Sequence, residues 1–91
     1  MYRLVWTPRF SRSAKKFAQS HPELRKRLAQ VLRDLESDPL QPQLRLHALK
    51  GRMQGLHAVS VTYSYRITLT LQIAEQEIIL HDVGAHDEVY E

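Results

Sequence analysis

Cysteine is absent from this chain and glycine occurs only three times in its 91 residues, and each shortage closes off a class of protein. Without cysteine there is neither a disulfide framework nor a thiolate zinc site. The sequence holds no Walker loop, no dinucleotide glycine fingerprint and no activated serine elbow, which sets aside the enzymes built on them. Its apolar runs fall far short of the roughly 20 residues that cross a bilayer as a helix. Arg3 and Arg9 bracket an opening run too short to be the apolar core of a secretory signal. The expectation is a cytoplasmic protein of one domain, residues 1–91, able to bury roughly two-thirds of its extended-chain surface in a single core.

What the chain does have is charge, unevenly placed. Residues 1–52 carry 12 Lys and Arg against 4 Asp and Glu, whereas residues 53–91 carry 1 against 6. A basic half of this kind fits a polyanion or an acidic protein partner, or else marks the solvated outer faces of two helices.

Periodicity divides the chain along the same line. In residues 65–73, Tyr65, Ile67, Leu69, Leu71 and Ile73 alternate with Arg66, Thr68, Thr70 and Gln72, so one face is expected in the core and the other in water. Residues 56–62 alternate similarly around Val59 and Val61, and residues 77–83 supply a third strand. Turns are expected at Tyr63-Ser64 and Ala74-Glu75-Gln76, which makes an antiparallel meander. A short strand at Arg3–Trp6 is expected to join the sheet.

Two helices fit between. Thr7 as N-cap and Pro8 in the first turn start one, with Phe10, Ala14 and Phe17 on its apolar face. Ser20 and Glu23 have capping-box spacing across the break at Pro22, and His21 is expected to be a surface turn residue. Leu24, Leu28, Val31, Leu32 and Leu35 form the apolar stripe of the second helix, which ends at Ser37-Asp38-Pro39. Residues 40–55 show no sustained period and read as an ordered connection with Leu44, Leu46 and Leu49 turned inward. The order β-α-α-β-β-β describes an α+β fold, a helical hairpin on one face of a small antiparallel sheet.

Chemistry-bearing side chains collect in the sheet half and its approach loop: His47, His57, His81, His86, Arg66 and Tyr90, with Arg45, Lys50 and Arg52 just before the sheet. Histidine titrates near neutrality, so two of them can act as acid and base. His81 and His86 match no compact metal pattern, and no metal or other cofactor is expected. His57 shares strand parity with Val59, and His81 with Ile79 and Val83, which favours hydrogen-bonded core histidines over catalytic ones. By the same parity Arg66 faces away from the helices, either free for a ligand or paired across strands with Asp82 or Glu77.

Taken in order, LHALKG, GLHAVSVTYSYRITLTL and ILHDVGAHDEVY resemble the RelE/ParE superfamily of toxins from prokaryotic toxin–antitoxin modules, particularly its RelE and YafQ-like members. The resemblance covers essentially the whole chain. It implies an endoribonuclease that cleaves mRNA in the ribosomal A site by metal-independent 2′-hydroxyl attack and is neutralised by an acidic antitoxin in a hetero-oligomer. Position by position, it implies catalytic roles for His47, Arg66, His86 and Tyr90 and phosphate contacts for Lys50 and Arg52, with Arg45 in the same basic loop. Ser60 and Ser64 stand where YafQ-like members carry histidine and aspartate. The alternatives are a ParE-like inhibitor of DNA gyrase that does no chemistry, and an inactive antitoxin-binding module.

Overall fold

The strand that closes the sheet comes from the far end of the chain. The computed structural model describes residues 1–85, in the order β1 (Arg3–Trp6), α1 (Pro8–Ser20), α2 (Arg25–Ser37), β2 (His47–Ala48), β3 (His57–Ser60), β4 (Tyr65–Gln72) and β5 (Glu77–Ala85). The spatial order is β1-β5-β4-β3-β2. β3, β4 and β5 form the expected antiparallel meander. β1 instead lies parallel to β5, from Arg3 opposite Glu77 to Trp6 opposite Leu80, so the sheet is mixed. No hairpin links these two strands, and the rest of the domain serves as their crossover. The two-residue strand β2, which the missing periodicity of the connection concealed, pairs His47 with Ala58 and Ala48 with His57.

Both helices arise where local chemistry permits. Thr7 Oγ1 accepts the Phe10 N–H at 3.1 Å, and the same hydroxyl donates to the Leu80 carbonyl at 2.7 Å, so one side chain caps α1 and ties it to β5. Phe10, Ala14 and Phe17 are buried. The capping box is not formed. His21 breaks the helix at φ −131°, ψ 65°, and the single 3-10 turn Pro22–Leu24 that follows has no side-chain cap. Leu28, Val31 and Leu35 of α2 are buried, and Leu24 and Leu32 flank them. Asp38 takes extended backbone ahead of Pro39, whose ring disfavours a helical predecessor.

These helix faces meet Val59, Val61, Ile67, Leu69, Ile78, Leu80 and Val83 in one core cluster that Leu44 completes from the long connection. Fully burying one such side chain contributes about 1.5–3 kcal/mol, so this layer dominates the stability of the fold.

The strand alternation fails at two places. Opposite the Thr68–Leu69 step the register slips: Thr68 pairs with Asp82 and Leu69 with Leu80, leaving His81 as the extra residue of a bulge. The bulge resets the pleat, so Leu80 and Val83, three residues apart, are both buried. His81 therefore leaves Val83's face and is half-buried beside Thr70, contrary to the parity that places it in the core. At the other end, Ile73 is 64% exposed because the strand has already become a turn there. Thr68, expected in water, is 1% exposed.

Candidate active site

β4 and its hairpin position the central residue. After Ser60 the chain leaves β3, and residues 61–64 form the connection, closed by the Val61 N–H on the Tyr65 carbonyl at 2.9 Å. Arg66, opposite Ser60 on one side and Gly84 on the other, folds back over this connection. Its Nη1 donates to the carbonyls of Thr62 at 2.8 Å, Tyr63 at 2.9 Å and Tyr65 at 3.3 Å. Its Nε is buried with no partner among the described residues. A guanidinium has five N–H donors. Nη1 fixes the plane, and Nη2 has no partner among the described residues.

Arg66 therefore makes neither cross-strand ion pair allowed by its parity. Asp82 accepts from Arg9 at 2.9 Å, and Glu77 is bound by Arg3. Both acids are held at the β1 and α1 side of the sheet.

A cleft of about 240 Å³ opens beside Arg66. Arg45 and Arg27 share its lining with Ser60, Thr62, Tyr63 and Gln43, and no carboxylate is among the described residues that line it. Arg45 follows the 3-10 turn Pro42–Leu44 in left-handed conformation, φ 53°, a strained backbone for a residue with a Cβ. Its carbonyl lies 2.9 Å from His47 Nδ1. Arg27 Nε donates to the Val61 carbonyl at 2.8 Å, which fastens α2 to the hairpin.

His47 is exposed on β2. It is level with Ala58, two residues from Ser60 along β3, and shares the helix-free face with Arg66. Two strand spacings across and two residues along give a Cα separation of roughly 12 Å. Lys50 and Arg52 are exposed in the turn that leads into the start of β3. Because Arg66 pairs with the last residue of that strand, they sit at its other end and do not line the Arg66 cleft. His86 and Tyr90 lie outside the described residues. Among the seven anticipated residues, then, Arg45 and Arg66 share a cleft and His47 shares their face.

The remaining histidines occupy three settings. His57 is half-buried, and its Nδ1 is buried with no partner among the described residues, so the expected hydrogen bond is missing. His81 Nε2 lies 2.7 Å from Thr70 Oγ1, and its pKa is lowered from 6.5 by burial first and by the Arg9 charge second. His21 is not a bare surface residue. Its ring lies between Phe17 and Tyr65, with centroids 4.9 and 4.7 Å away, at the wall of a second cleft of about 390 Å³ on the helix side.

Arg27 and Tyr63 escape sequence reasoning. Arg27 looks like one more solvated cation beside a helical stripe, and Tyr63 looks like a turn residue. Only the docking of α2 on the hairpin shows that they line one cleft. Among the described residues no group of three or more His, Cys, Asp or Glu could hold a metal, and no helix is long and apolar enough to cross a membrane.

A family model matches this chain over nearly its whole length. The model describes a bacterial toxin of type II toxin–antitoxin systems, YafQ, and it matches residues 2–91. This chain belongs to the YafQ toxin family. Solved structures agree on the fold. The YafQ structure from E. coli strain BL21(DE3) superposes with a TM-score of 0.82 at 15% identity, covering 100% of both chains. A metal-bound toxin from Helicobacter pylori gives 0.79 at 22% identity, over 98% of this chain and 99% of that one. A YoeB/ParE toxin from Agrobacterium tumefaciens gives 0.76 at 18% identity, over 92% and 98%. No curated protein matches the chain by sequence. At these identities the structural neighbours establish the shared RelE-like fold, and the family model establishes membership among the type II toxins.

Proposed function

We propose that this toxin is an endoribonuclease that cleaves mRNA in the ribosomal A site without a metal or other cofactor. The observation that carries the reading is Arg66, a guanidinium immobilised by three backbone carbonyls, with Nη2 unpartnered among the described residues beside a cleft lined by two more arginines. A donor held in place before substrate arrives stabilises charge on a phosphoryl oxygen without reorganising in the transition state. In the proposed reaction the RNA 2′-hydroxyl loses its proton and attacks the adjacent phosphorus. A 2′,3′-cyclic phosphate forms as the P–O5′ bond breaks, and the departing 5′-oxygen takes up a proton. His47 and His86 are the acid and base, in an order left open, and Tyr90 orients a base by stacking or hydrogen bonding. Lys50 and Arg52 hold phosphates farther along the strand.

The partner in this reading is an acidic antitoxin. Staphylococcus aureus YoeB, solved as a YoeB–YefM complex, shares the fold with a TM-score of 0.72 at 16% identity, which supports a toxin–antitoxin hetero-oligomer. Residues 1–91 act as one domain in the bacterial cytoplasm. Primer extension on cellular mRNA after induction of the unpartnered toxin tests the activity. New 5′ ends within reading frames are expected, and unbroken mRNA contradicts the reading. A second reading rests on Ser60 and Ser64, hydroxyls where YafQ-like members carry titratable groups. With a smaller acid/base set, a ParE-like gyrase inhibitor follows, and its growth arrest would survive His86→Ala.

A further inference from the structure

Four arginines elsewhere in the described chain have partners, while Arg12 and Arg52 stand exposed in solvent. Arg3 meets Glu77, Arg9 meets Asp82, Arg25 meets the Ala18 carbonyl and Arg33 meets Gln30. At the hairpin end three arginines line one cleft of about 240 Å³, with no carboxylate among its described lining residues. Like charges held this close repel, and the geometry is kept by backbone carbonyls: Val61 for Arg27, and Thr62, Tyr63 and Tyr65 for Arg66. The terminal nitrogens of Arg27 have no partner among the described residues. Over the same cleft stands Tyr63, 89% exposed, its backbone pinned through its carbonyl while its ring is free. An aromatic face in water beside guanidiniums that meet no described carboxylate is the combination that receives a base and its phosphate.

We propose that Arg27, Arg45 and Tyr63 form a nucleotide subsite beside Arg66, in which the arginines hold the phosphate next to the scissile one and Tyr63 stacks that nucleotide's base. The inference rests on the reading of this surface as an RNA site, but it concerns binding and needs no catalysis. A nucleotide fits better than an acidic peptide because a carboxylate would use the guanidiniums and leave the Tyr63 ring in water. Stacking on a single ring tolerates any base, so the subsite adds affinity and register with little sequence preference.

The test is fluorescence anisotropy of the intact toxin with a labelled DNA hexanucleotide, which lacks the 2′-hydroxyl and cannot be cleaved. Tyr63→Ser is expected to weaken binding about tenfold, with Tyr63→Phe close to the parent. Arg27→Gln is expected to weaken it by a similar factor and to lower the slope of log affinity against log salt by about 0.7, the value for one single-strand phosphate contact. Parent-like affinity and salt slope in Tyr63→Ser and Arg27→Gln would overturn the subsite. Should Arg27→Gln unfold through loss of the Val61 contact, the exposed Tyr63 variants decide alone. A hexaglutamate peptide that outcompetes the hexanucleotide, indifferently to Tyr63→Ser, would also overturn it in favour of an acidic partner. A toxin that binds through Arg27 and Tyr63 yet never cleaves mRNA would sink the cleavage reading and leave the subsite standing.

Discussion

The two ends of the sheet handle positive charge in opposite ways. Where β1 and α1 meet β5, Arg3 and Arg9 are matched by Glu77 and Asp82, so the charges close on one another within the fold. At the β3–β4 hairpin, Arg27, Arg45 and Arg66 line one cleft with no carboxylate among its described residues, and backbone carbonyls steady Arg27 and Arg66. Carbonyl groups orient a guanidinium but leave its formal charge uncompensated. The first end is therefore finished by the chain itself, whereas the second keeps positive charge that no described carboxylate matches. The same sequence asymmetry, a basic N-terminal half and an acidic C-terminal half, supplies both, because the acids at 77 and 82 fall on the strand beside β1 and not on the hairpin.

Substitutions at the two ends should separate accordingly. The largest effect is expected from Arg66→Ala, which removes a preorganised donor and should lower cleavage by about 100- to 1,000-fold. It also strips the hairpin of three hydrogen bonds, so its melting temperature should fall too. At the paired end, Thr7→Ala removes both the α1 cap and the link to Leu80. It should cost about 1–2 kcal/mol by thermal or urea unfolding and leave cleavage at the parent level. Parent-like stability in that variant would mean that the β1–α1 junction is held by something else. Arg3→Ala should do less, at most about 1 kcal/mol, since the Arg3 side chain is 72% exposed and its pairing with Glu77 is screened by solvent.

A smaller, pH-dependent effect tests the β5 bulge between the two ends. His81 is held below its usual pKa of 6.5 in the folded chain by burial and by Arg9, so unfolding takes up a proton at mildly acid pH. The stability gained by keeping His81 neutral is complete above pH about 6.5 and is lost as the pH falls towards the lower folded value. The melting temperature should fall between pH 7.5 and pH 5, and His81→Gln should reduce that part of the fall. An unchanged pH profile in His81→Gln would show that the bulge does not hold the imidazole neutral.

Local signals explain what was legible in the sequence. Thr7-Pro8, the Phe10–Ala14–Phe17 stripe, the α2 leucines and the alternation of Ile67 and Leu69 depend on neighbours a few residues away, and the fold follows them. The parallel pairing of β1 depends on a partner more than seventy residues distant, and periodicity carries no register. His81 was misplaced because a bulge adds one residue without a glycine or proline to mark it. Arg66 was correctly placed on the helix-free face, but its anchoring could not be read, since carbonyls carry no residue identity. Arg27 was hidden for a similar reason: its significance lies in a contact 34 positions away with a backbone atom. The candidate site was legible as a list of residue types, while its geometry belongs to tertiary docking.

The central claim is that Arg66 serves a phosphate as well as its own hairpin, and Arg66→Lys separates the two roles. A lysine ammonium keeps the charge and can still donate to the hairpin carbonyls, but it lacks the planar fork that reaches from them into the cleft. Single-turnover cleavage of ribosome-bound mRNA, measured beside thermal unfolding of the same preparation, is the direct measurement. A rate at least tenfold below the parent with the melting temperature preserved is the predicted result. A folded Arg66→Lys toxin that cleaves at the parent rate would contradict it and confine Arg66 to holding the turn.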